Sequence, residues 1–468
     1  CSYIWYSKLH KMKKLLLLLA FWGVVSTTQA QIVNIPDANF KAALINDYLI
    51  NTNGDLEIQV SEATAYTGEI NCSSLNIFNL TGIEAFTQVT GLYCNNNHLT
   101  SLDVTENTAL QYLFCDHNQL TSLVSANTAL TYLDCSFNLL SSLDVAANTA
   151  LLYLFCQNNQ LTSLNVTANE ALLYLHCQNN QLSLVNVTAN TALIVLICYH
   201  NQLTSLNVAT NTALQNLSCY YNQLASLNVT TNTTLTRLYC DHNQLTSLDV
   251  IANTALTSLG CDNNLLSSLD VAANTALTSL DCNNNLLSSL DVSTNTALQY
   301  LFCNHNQLTS LNVTTNTALI NLYCHDNQLA TLNVQNGNNT HVTIFNATNN
   351  PNLTCIEVDN AEWSTENWTN IDAGAIFSEN CQSGFNQPSA ETAFRIFPNP
   401  SDGNFTISCG SMKNSQLIVT NILGEIIYSA NMNTDNAEIN FTSVPKGIYL
   451  FQLLSNSNVL RTGKIIID

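Results

Sequence analysis

Residues 110–123 read Leu110-Gln-Tyr-Leu113-Phe-Cys115-Asp-His-Asn118-Gln-Leu120-Thr-Ser-Leu123, and this frame, L-x-x-L-x-C-x-x-N-x-L-x-x-L, recurs through the middle of the chain. A unit of this length cannot bury its own apolar face, so successive units must stack and share one core. The period therefore predicts a solenoid. The cysteine of the frame returns every 21 residues, with one step of 20, at Cys94, Cys115, Cys135, Cys156, Cys177, Cys198, Cys219, Cys240, Cys261, Cys282, Cys303 and Cys324.

The frame resembles a leucine-rich repeat in which Cys takes the apolar position before the Asn. The resemblance implies that the L-x-C segment of each coil is a short strand and that these strands form a parallel sheet on the concave side. The back of each coil carries a second extended piece, such as Leu143-Asp-Val145, followed by an Asn-Thr-Ala turn such as the one at Asn148. Because a 21-residue coil leaves little room for a helix, we predict a leucine-rich repeat solenoid, α/β class by family, that is mostly parallel β here.

An asparagine follows each of these cysteines by three residues. An inward Asn can pair through its amide donor and its carbonyl with backbone groups that the coil cannot satisfy itself. We interpret this column as a structural ladder and not as a ligand site. It includes Asn97, Asn118, Asn159, Asn201, Asn243 and Asn306.

The N-terminal segment has the parts of a secretory signal peptide. A basic start at Met12-Lys-Lys precedes an apolar run from Leu15, and small residues stand before Gln31. We therefore predict that residues 1–30 are upstream residues plus a signal peptide that starts at Met12, with residues 1–11 an upstream reading artefact. The run is too short for a spanning helix, so we expect an exported protein with no transmembrane segment in its mature form.

Seventeen cysteines in an exported chain first suggest disulfides. The ladder cysteines, however, stand where the repeat family has Leu, and a free Cys packs as a small apolar residue. Parallel side chains in register project side by side, which does not suit a disulfide torsion, so buried thiols are favoured over bridges. Metal binding is less expected still, because no C-x-x-C or Cys/His cluster accompanies the ladder. Cys355 and Cys381 lie off the ladder and are the disulfide candidates.

The charge balance excludes one class of partner. The chain has 32 acidic and 11 basic residues, and Arg237 is the one Lys or Arg between Lys41 and Arg395. Binding of nucleic acid needs a basic surface that neutralises phosphates, so nucleic acid is excluded as a partner. An acidic, Asn- and Thr-rich exterior suits solubility outside the cell and favours cations or basic partners.

Residues 394–468 differ in character from the repeats, after a linker at 382–393. Alternating apolar positions and turn residues predict a small antiparallel β-sandwich. Three motifs also resemble the C-terminal sorting domain of the type IX secretion system of Bacteroidetes: Phe397-Pro-Asn-Pro400-Ser-Asp-Gly403, Gly447-Ile-Tyr449 and Lys464-Ile-Ile-Ile. The resemblance implies passage across the outer membrane through the type IX machinery, removal of the domain, and release or attachment to surface lipopolysaccharide.

The solenoid is predicted at 71–351, between an N-terminal cap at 31–70 and a C-terminal cap at 352–381. The N-terminal cap contains a stretch that resembles an EF-hand loop, with a possible weak calcium site at Asn51, Asn53, Asp55, Glu57 and Glu62. Asn replaces the usual Asp at position 1, and Leu replaces the Gly that allows the sharp turn at position 6. A polar loop between cap helices, with no ion, is therefore an equal alternative.

We find no sequence motif for catalysis: a nucleophile elbow, H-E-x-x-H, a Walker loop and a dinucleotide glycine fingerprint are all missing. Four of the nine histidines share one column after the strand, but they are two or more coils apart. Their predicted separation of roughly 10 Å is too large for one ion. We expect a protein that is not an enzyme and that requires no cofactor, with calcium as the one possible ion.

Aromatic residues concentrate at the outward positions of the predicted sheet. Exposed rings with polar tips are typical of binding faces, although aromatics also simply favour strands and stack along a sheet. We predict a surface or secreted binding protein of the adhesin kind that recognises an extracellular protein, with a glycan-binding module as the alternative. The predicted face comprises Tyr112, Phe114, Tyr132, Phe137, Tyr153, Phe155, Tyr174, His176, Tyr199, Tyr220, Tyr221 and Tyr239.

Overall fold

The computed structural model describes residues 30–381, 395–408, 415–432, 434, 436–455 and 458–468. The predicted signal peptide, except for its last residue, and the predicted linker lie outside the described residues. The chain divides into two compact units, one ending at Cys381 and the other beginning at Gln382.

The first unit is built on a 14-stranded sheet, here called the main sheet, whose neighbouring strands are parallel. Each coil contributes one three-residue strand. Strands pair in register, so that Leu133 lies opposite Leu154. The strands are β1 (Glu69–Asn71), β2 (Gly91–Tyr93), β4 (Tyr112–Phe114), β6 (Tyr132–Asp134), β7 (Tyr153–Phe155), β8 (Tyr174–His176), β9 (Val195–Ile197), β10 (Asn216–Ser218), β11 (Arg237–Tyr239), β12 (Ser258–Gly260), β13 (Ser279–Asp281), β14 (Tyr300–Phe302), β16 (Asn321–Tyr323) and β18 (Ile344–Asn346).

Each strand covers the three residues before the ladder cysteine, one residue earlier than the L-x-C segment. Its central Leu and the following Cys point inward, and Leu113, Cys115 and Leu120 are all completely buried. The same columns continue from coil to coil and form one continuous apolar core.

The cysteines of this core are thirteen free, buried thiols. Cys72 is one of them and extends the ladder by a coil, because its N–H donates to the Tyr93 carbonyl at 2.8 Å as the Cys94 N–H does to Phe114. Burial raises the pKa of every ladder thiol, that of Cys177 to about 12. The thiolate is the reactive form of cysteine, so these side chains act as packing groups.

The asparagine after each cysteine joins neighbouring coils. Asn222 Nδ2 donates to the carbonyls of Cys198 and Cys219 at 3.1 and 3.0 Å. Its Oδ1 accepts from the backbone N–H of Leu203 at 3.0 Å. The side chain therefore satisfies backbone groups on two coils at the point where the strand ends.

The back of the solenoid carries short parallel strands near its two ends. They are β3 (Ser101–Asp103) with β5 (Ser122–Val124), and β15 (Ser310–Asn312), β17 (Thr331–Asn333), β19 (Cys355–Glu357) and β20 (Ile376–Ser378). Between them, single bridges such as Asn165 to Asn186 connect the coils. A second asparagine column supports this side: Asn190 is completely buried, and its Nδ2 donates to the carbonyls of Val166 and Asn169 at 3.0 and 2.7 Å.

Short helices close the N-terminal end. They are α1 (Ala38–Ile45), α2 (Val60–Ala65) and a 3-10 turn at Ile83–Ala85. Asp37 caps α1 by accepting from Phe40 N at 3.0 Å, and its second carboxylate oxygen accepts from Phe78 N at 2.8 Å. One side chain thus begins the helix and attaches it to the first coil.

The C-terminal end is covered by a 3-10 turn at Asn339–His341, helix α3 (Ala361–Asn367) and strand β20. Trp368 stacks on Phe345 with ring centroids 4.3 Å apart and covers the end of the core. A disulfide joins Cys355 to Cys381 in this cap.

The second unit is antiparallel. Its strands are β21 (Arg395–Phe397), β22 (Asn404–Ser408), β23 (Ser415–Thr420), β24 (Ile426–Met432), β25 (Asn436–Asn440), β26 (Gly447–Ser455) and β27 (Asn458–Ile467). A three-stranded sheet has the order β21-β22-β25, and a four-stranded sheet has the order β24-β23-β26-β27. Inward apolar residues, among them Phe405, Leu417 and Ile465, form a separate core. The predicted fold class, a mostly parallel solenoid followed by a small antiparallel β unit, is confirmed.

Candidate ligand-binding face

The outward positions of the main sheet are the first and third residues of each strand, on either side of the buried Leu. The first positions of four successive strands are Tyr112, Tyr132, Tyr153 and Tyr174, which lie opposite one another in register. Phe114, Phe155, His176 and Tyr239 occupy third positions. The repeat thus places eight of the twelve predicted face residues directly on strands β4 to β11.

Neighbouring rings of this sheet pack against one another, most of them stacked and Tyr132 with Tyr153 tilted by 33°. Ring centroids lie 4.6 Å apart for Phe114 and Tyr132, 5.5 Å for Tyr132 and Tyr153, and 5.2 Å for Tyr153 and Tyr174. Tyr93, which the sequence analysis did not include, begins the row by stacking on Phe114 at 4.9 Å. Most rings are consequently half-buried by their neighbours, whereas Tyr112 remains 38% exposed.

The other four predicted residues lie beyond the strand ends, which corrects their assignment to the outward positions of the sheet. Tyr199 and Tyr220 directly follow a ladder cysteine, and Phe137 and Tyr221 follow one by two residues. Phe137 and Tyr221 have φ angles of 52° and 48°. Every described coil from Asn96 onward enters this left-handed region at the same position, since the chain must turn sharply away from the strand there.

These turn residues form a second aromatic group beside the sheet. Tyr199 stacks on Tyr220 with centroids 4.2 Å apart, and Tyr221 lies between His200 and His242 at 4.3 and 4.0 Å. Tyr221 is nevertheless 43% exposed. We call the twelve predicted residues, on strands and turns together, the aromatic face.

Acidic side chains replace aromatic ones on the coils that follow. Burial, with repulsion from Asp262, raises the pKa of Asp281 to about 7. The same two causes raise the pKa of Asp241 to about 6. A neighbouring carboxylate disfavours the charged form of each of these side chains.

Histidines and aspartates of adjacent coils meet in two groups. Asp241, His242 and Asp262 form one group, and His305, His325 and Asp326 form the other; in each, one potential ligand atom per residue lies within 4.8 Å of the others. The sequence analysis compared only histidines within one column and missed both groups, because Asp241, Asp262 and His325 stand in the neighbouring column, one residue nearer the cysteine. Burial lowers the pKa of His325.

The EF-hand-like loop is held by its own hydrogen bonds. Glu62 Oε1 accepts from Thr52 N at 2.8 Å, Thr52 Oγ1 at 2.9 Å and Asn53 N at 3.1 Å, and its Oε2 accepts from Gln59 N at 3.0 Å. Asp55 accepts from the backbone N–H of Glu57 at 2.7 Å.

Two further loop residues have protein partners as well. Asn51 donates to the Asp55 carbonyl at 2.7 Å, and Glu57 forms an ion pair with Lys41 at 2.6 Å. The carboxylates of Asp55, Glu57 and Glu62 do not form a three-residue metal group within the described chain. The contacts are those of a structural loop, and the calcium site stays a prediction.

No helix in the described parts of the chain is long and apolar enough to cross a membrane.

Comparison with known proteins identifies the C-terminal unit. Residues 395–468 match the family described as a secretion system C-terminal sorting domain. This domain directs export through the type IX secretion system, so the protein is located at the cell surface or in the medium.

Solved structures show that the first unit has a leucine-rich repeat fold. The functional domain of InlJ from Listeria monocytogenes, which includes a cysteine ladder, is 27% identical; the match covers 94% of this chain and 98% of that one, with a TM-score of 0.65. The internalin InlF from Listeria monocytogenes is 19% identical over 77% of this chain and all of that one, with a TM-score of 0.54.

A curated relative shares part of the sequence. The endo-acting ulvan lyase of Formosa agariphila is 26% identical over 133 residues, which are 28% of this chain. The match spans 22% of that protein's length.

Proposed function

We propose that this exported repeat protein is a non-enzymatic binding protein of the adhesin kind, which recognises an extracellular protein through the aromatic face. The observation that carries the proposal is the row of stacked, partly exposed rings across adjacent strands, from Tyr93 to Tyr174. These outward positions do not contribute to the apolar core of the solenoid, so packing of the core does not explain the rings. Large rings held in fixed orientations are what tight protein interfaces use as anchors.

The rigidity of the face supports this role. The inward Leu, Cys and Asn columns set the backbone beneath the rings, so a partner meets side chains that are already ordered. Stacking between Tyr153 and Tyr174, at 5.2 Å, removes much of their rotational freedom before binding. Ordering of side chains is one of the costs of association, and this cost is smaller here because folding has already ordered the rings.

A glycan ligand is the second candidate. Polar residues stand beside the rings, among them Gln157 and Gln178, and ring faces flanked by amides also suit sugars. The partial match to a protein named as an ulvan lyase is a further reason to test this candidate. Against it, the rings extend over at least seven coils from Tyr112 to Tyr239, whereas a glycan reader usually concentrates them in one compact cluster.

A paired substitution tests the face. The purified chain is first screened on a glycan array and against surface-protein extracts, and the affinity for any ligand found is then measured for Tyr153→Ala with Tyr174→Ala. Loss of an interface anchor typically costs about 2 kcal/mol or more, so affinity should fall at least about 30-fold. The protein should stay folded, since these half-buried rings lie outside the Leu and Cys core and the ring contacts that they lose are worth about 0.5–1.5 kcal/mol per aromatic pair.

Two variants serve as controls. Tyr48→Ala removes a 79%-exposed ring from the N-terminal cap and should leave affinity unchanged. Cys156→Asp places a charge in the core and should abolish folding. Normal binding by the double tyrosine variant would show that the aromatic face is not the binding surface, and binding to the glycan array alone would favour the second candidate.

A further inference from the structure

Three side chains converge where strands β14 and β16 end. His305 follows Cys303 by two residues, and His325 and Asp326 directly follow Cys324 in the next coil. Nε2 of His305 lies 3.5 Å from Oδ2 of Asp326, and Nε2 of His325 lies 3.7 Å from the same oxygen. Two imidazole nitrogens thus face one carboxylate oxygen.

The backbone fixes the positions from which these side chains extend. The His305 N–H donates to the His325 carbonyl at 3.0 Å, and the Asn306 N–H donates to the Asp326 carbonyl at 3.2 Å. His305 and Asp326 share the left-handed turn conformation, with φ angles of 51° and 53°. The cluster therefore depends on the inter-coil hydrogen bonds of the solenoid and not on a free loop.

The Asp326 carboxylate is also oriented from the next coil. Asn349 Nδ2 donates to its Oδ1 at 2.9 Å, which leaves Oδ2 directed at the two imidazoles. A hydrogen bond to the oxygen that does not bind the ion is the support that metal-ligating carboxylates commonly have.

We propose that His305, His325 and Asp326 bind one divalent transition-metal ion of the zinc class. Imidazole and carboxylate are ligands of Zn²⁺, whereas Ca²⁺ and Mg²⁺ prefer oxygen ligands alone. In a tetrahedral zinc site, ligand atoms lie about 3.3 Å apart; the two histidine–aspartate separations of 3.5 and 3.7 Å are close to this value, and all three ligand atoms lie within 4.8 Å of one another. Three protein ligands leave a position for water or for a donor atom of a bound partner.

The charge around the cluster favours a cation. The chain carries a net charge of −21, and no Lys or Arg stands between Arg237 and Arg395. No basic side chain from this part of the sequence competes for the Asp326 carboxylate. An acidic surface also raises the local concentration of cations.

The repeat supplies variants that remove each ligand and keep the turn. Asn stands at the position of His305 in the coils at Asn263 and Asn284, with φ angles of 51° and 50°. His305→Asn therefore preserves the backbone. His325→Asn is matched in the same way by Asn304 of the preceding coil. His200→Asn is the control, because His200 occupies the same column as His305 and stacks on Tyr221 without belonging to either described metal group.

The test uses the full chain stripped of metal and titrated with Zn²⁺ by calorimetry, and with Co²⁺ by visible absorption. We expect a site whose Zn²⁺ affinity falls at least about 10-fold in His305→Asn and further in the variant that also carries His325→Asn. The Co²⁺ absorption that this site contributes should be lost in the double variant, whereas His242→Asn, which removes the histidine of the other described group, should leave that contribution in place. His200→Asn should bind as the unmodified chain does.

Two results would overturn the proposal: unchanged Zn²⁺ affinity in the double variant, or an equal loss in His200→Asn. Circular dichroism confirms that each variant is folded. If the double variant fails to fold, Asp326→Asn replaces it, since Asn349 shows that Asn is accepted at that position with a φ angle of 58°. Unchanged affinity in Asp326→Asn and in His305→Asn would then reject the site.

Discussion

Single asparagines hold the coils of this solenoid together. Asn222 connects four backbone groups on two coils, so replacing it with Ala leaves one buried N–H and three carbonyls without that partner. An unsatisfied buried polar group costs about 1–3 kcal/mol. We expect Asn222→Ala to lower the free energy of unfolding by about 3 kcal/mol in urea denaturation. Gln223→Ala, which changes the exposed neighbour, should shift it by about 0.5 kcal/mol or less; equal effects would contradict a structural role for the ladder.

Asp281 should make stability depend on pH. Its pKa is raised to about 7 in the folded protein by burial and by Asp262, against about 3.9 in an unfolded chain. Between these values the folded state binds more protons, so the free energy of unfolding falls as pH rises from about 4 to about 7. Asp281→Asn should therefore stabilise the protein at pH 8 by about 1–2 kcal/mol, less than the full shift implies because solvent screens a partly exposed group.

Asp291→Asn is the matched control for this effect. Asp291 is exposed, and hydrogen bonds from the side chain and backbone N–H of Ser293 lower its pKa. Its replacement should give no gain at pH 8. Thermal melts of both variants at pH 5 and pH 8 make the comparison, and a gain at pH 5 equal to that at pH 8 for Asp281→Asn would argue against the titration of this carboxyl.

At the scale of residues, the sequence predicted which side chains take the same position on every coil. It did not predict which side chains from different positions meet. The frame showed that Asn118 and its equivalents are inward, because their spacing from Cys is constant. It did not show that His305 faces His325, since that approach depends on the left-handed turn that follows each strand. Cys72 was missed for a related reason: Ile70 replaces the Leu of the frame, and the step to Cys94 is 22 residues.

The N-terminal loop is the element whose role the sequence left open. Burial raises the pKa of Glu62, but four hydrogen-bond donors more than offset it and hold the pKa below its ordinary value. The ionised Glu62 carboxylate therefore stabilises the folded cap. This contribution is present above pH 4.5 and is lost as the pH falls through the folded pKa. Glu62 therefore contributes to the cap without any ion.

We accordingly expect Glu62→Gln to lower the melting temperature of the cap in chelator as well as in millimolar calcium. Glu57→Gln, which removes an ion pair at the surface, should have a small effect in both. Scanning calorimetry with and without calcium measures the difference. A weak site would appear as extra stability of the unmodified chain only when calcium exceeds the dissociation constant, and an effect of Glu62→Gln confined to calcium would favour the EF-hand interpretation.

The strands were predicted to within one residue, because the same pattern recurs on every coil. The turn was not, since the sequence analysis grouped Phe137 and Tyr221 with strand aromatics such as Tyr132, although they follow the cysteine by two residues. Their positive φ angles follow from the tight exit of the chain after the cysteine. Asn and His at the equivalent positions of other coils were the available signal, because Asn and His are enriched in the left-handed region.

On the scale of the whole molecule, the two units rest on different kinds of sequence information. The solenoid follows from a period that any chain of stacked coils must obey. The sorting domain follows from a few motifs at fixed places, such as Pro398-Asn-Pro400 and Lys464-Ile-Ile-Ile. Neither kind of sequence information identifies a ligand. A ligand would contact the outward side chains, and the repeat does not constrain which residues stand at those positions.

Because the two units have separate cores, we expect the solenoid to fold without the sorting domain, which is needed only for export. The solenoid core ends at Phe377, and the core of the second unit begins at Phe405. Deleting residues 394–468 should therefore leave a folded solenoid that is retained in the periplasm, since the sorting domain directs export. Surface labelling and limited proteolysis of fractionated cells measure location and folding together. Deleting residues 178–198 instead removes one whole coil, keeps the period and the sorting domain, and should still reach the surface. Surface display of the chain without residues 394–468 at normal levels would contradict this division of roles.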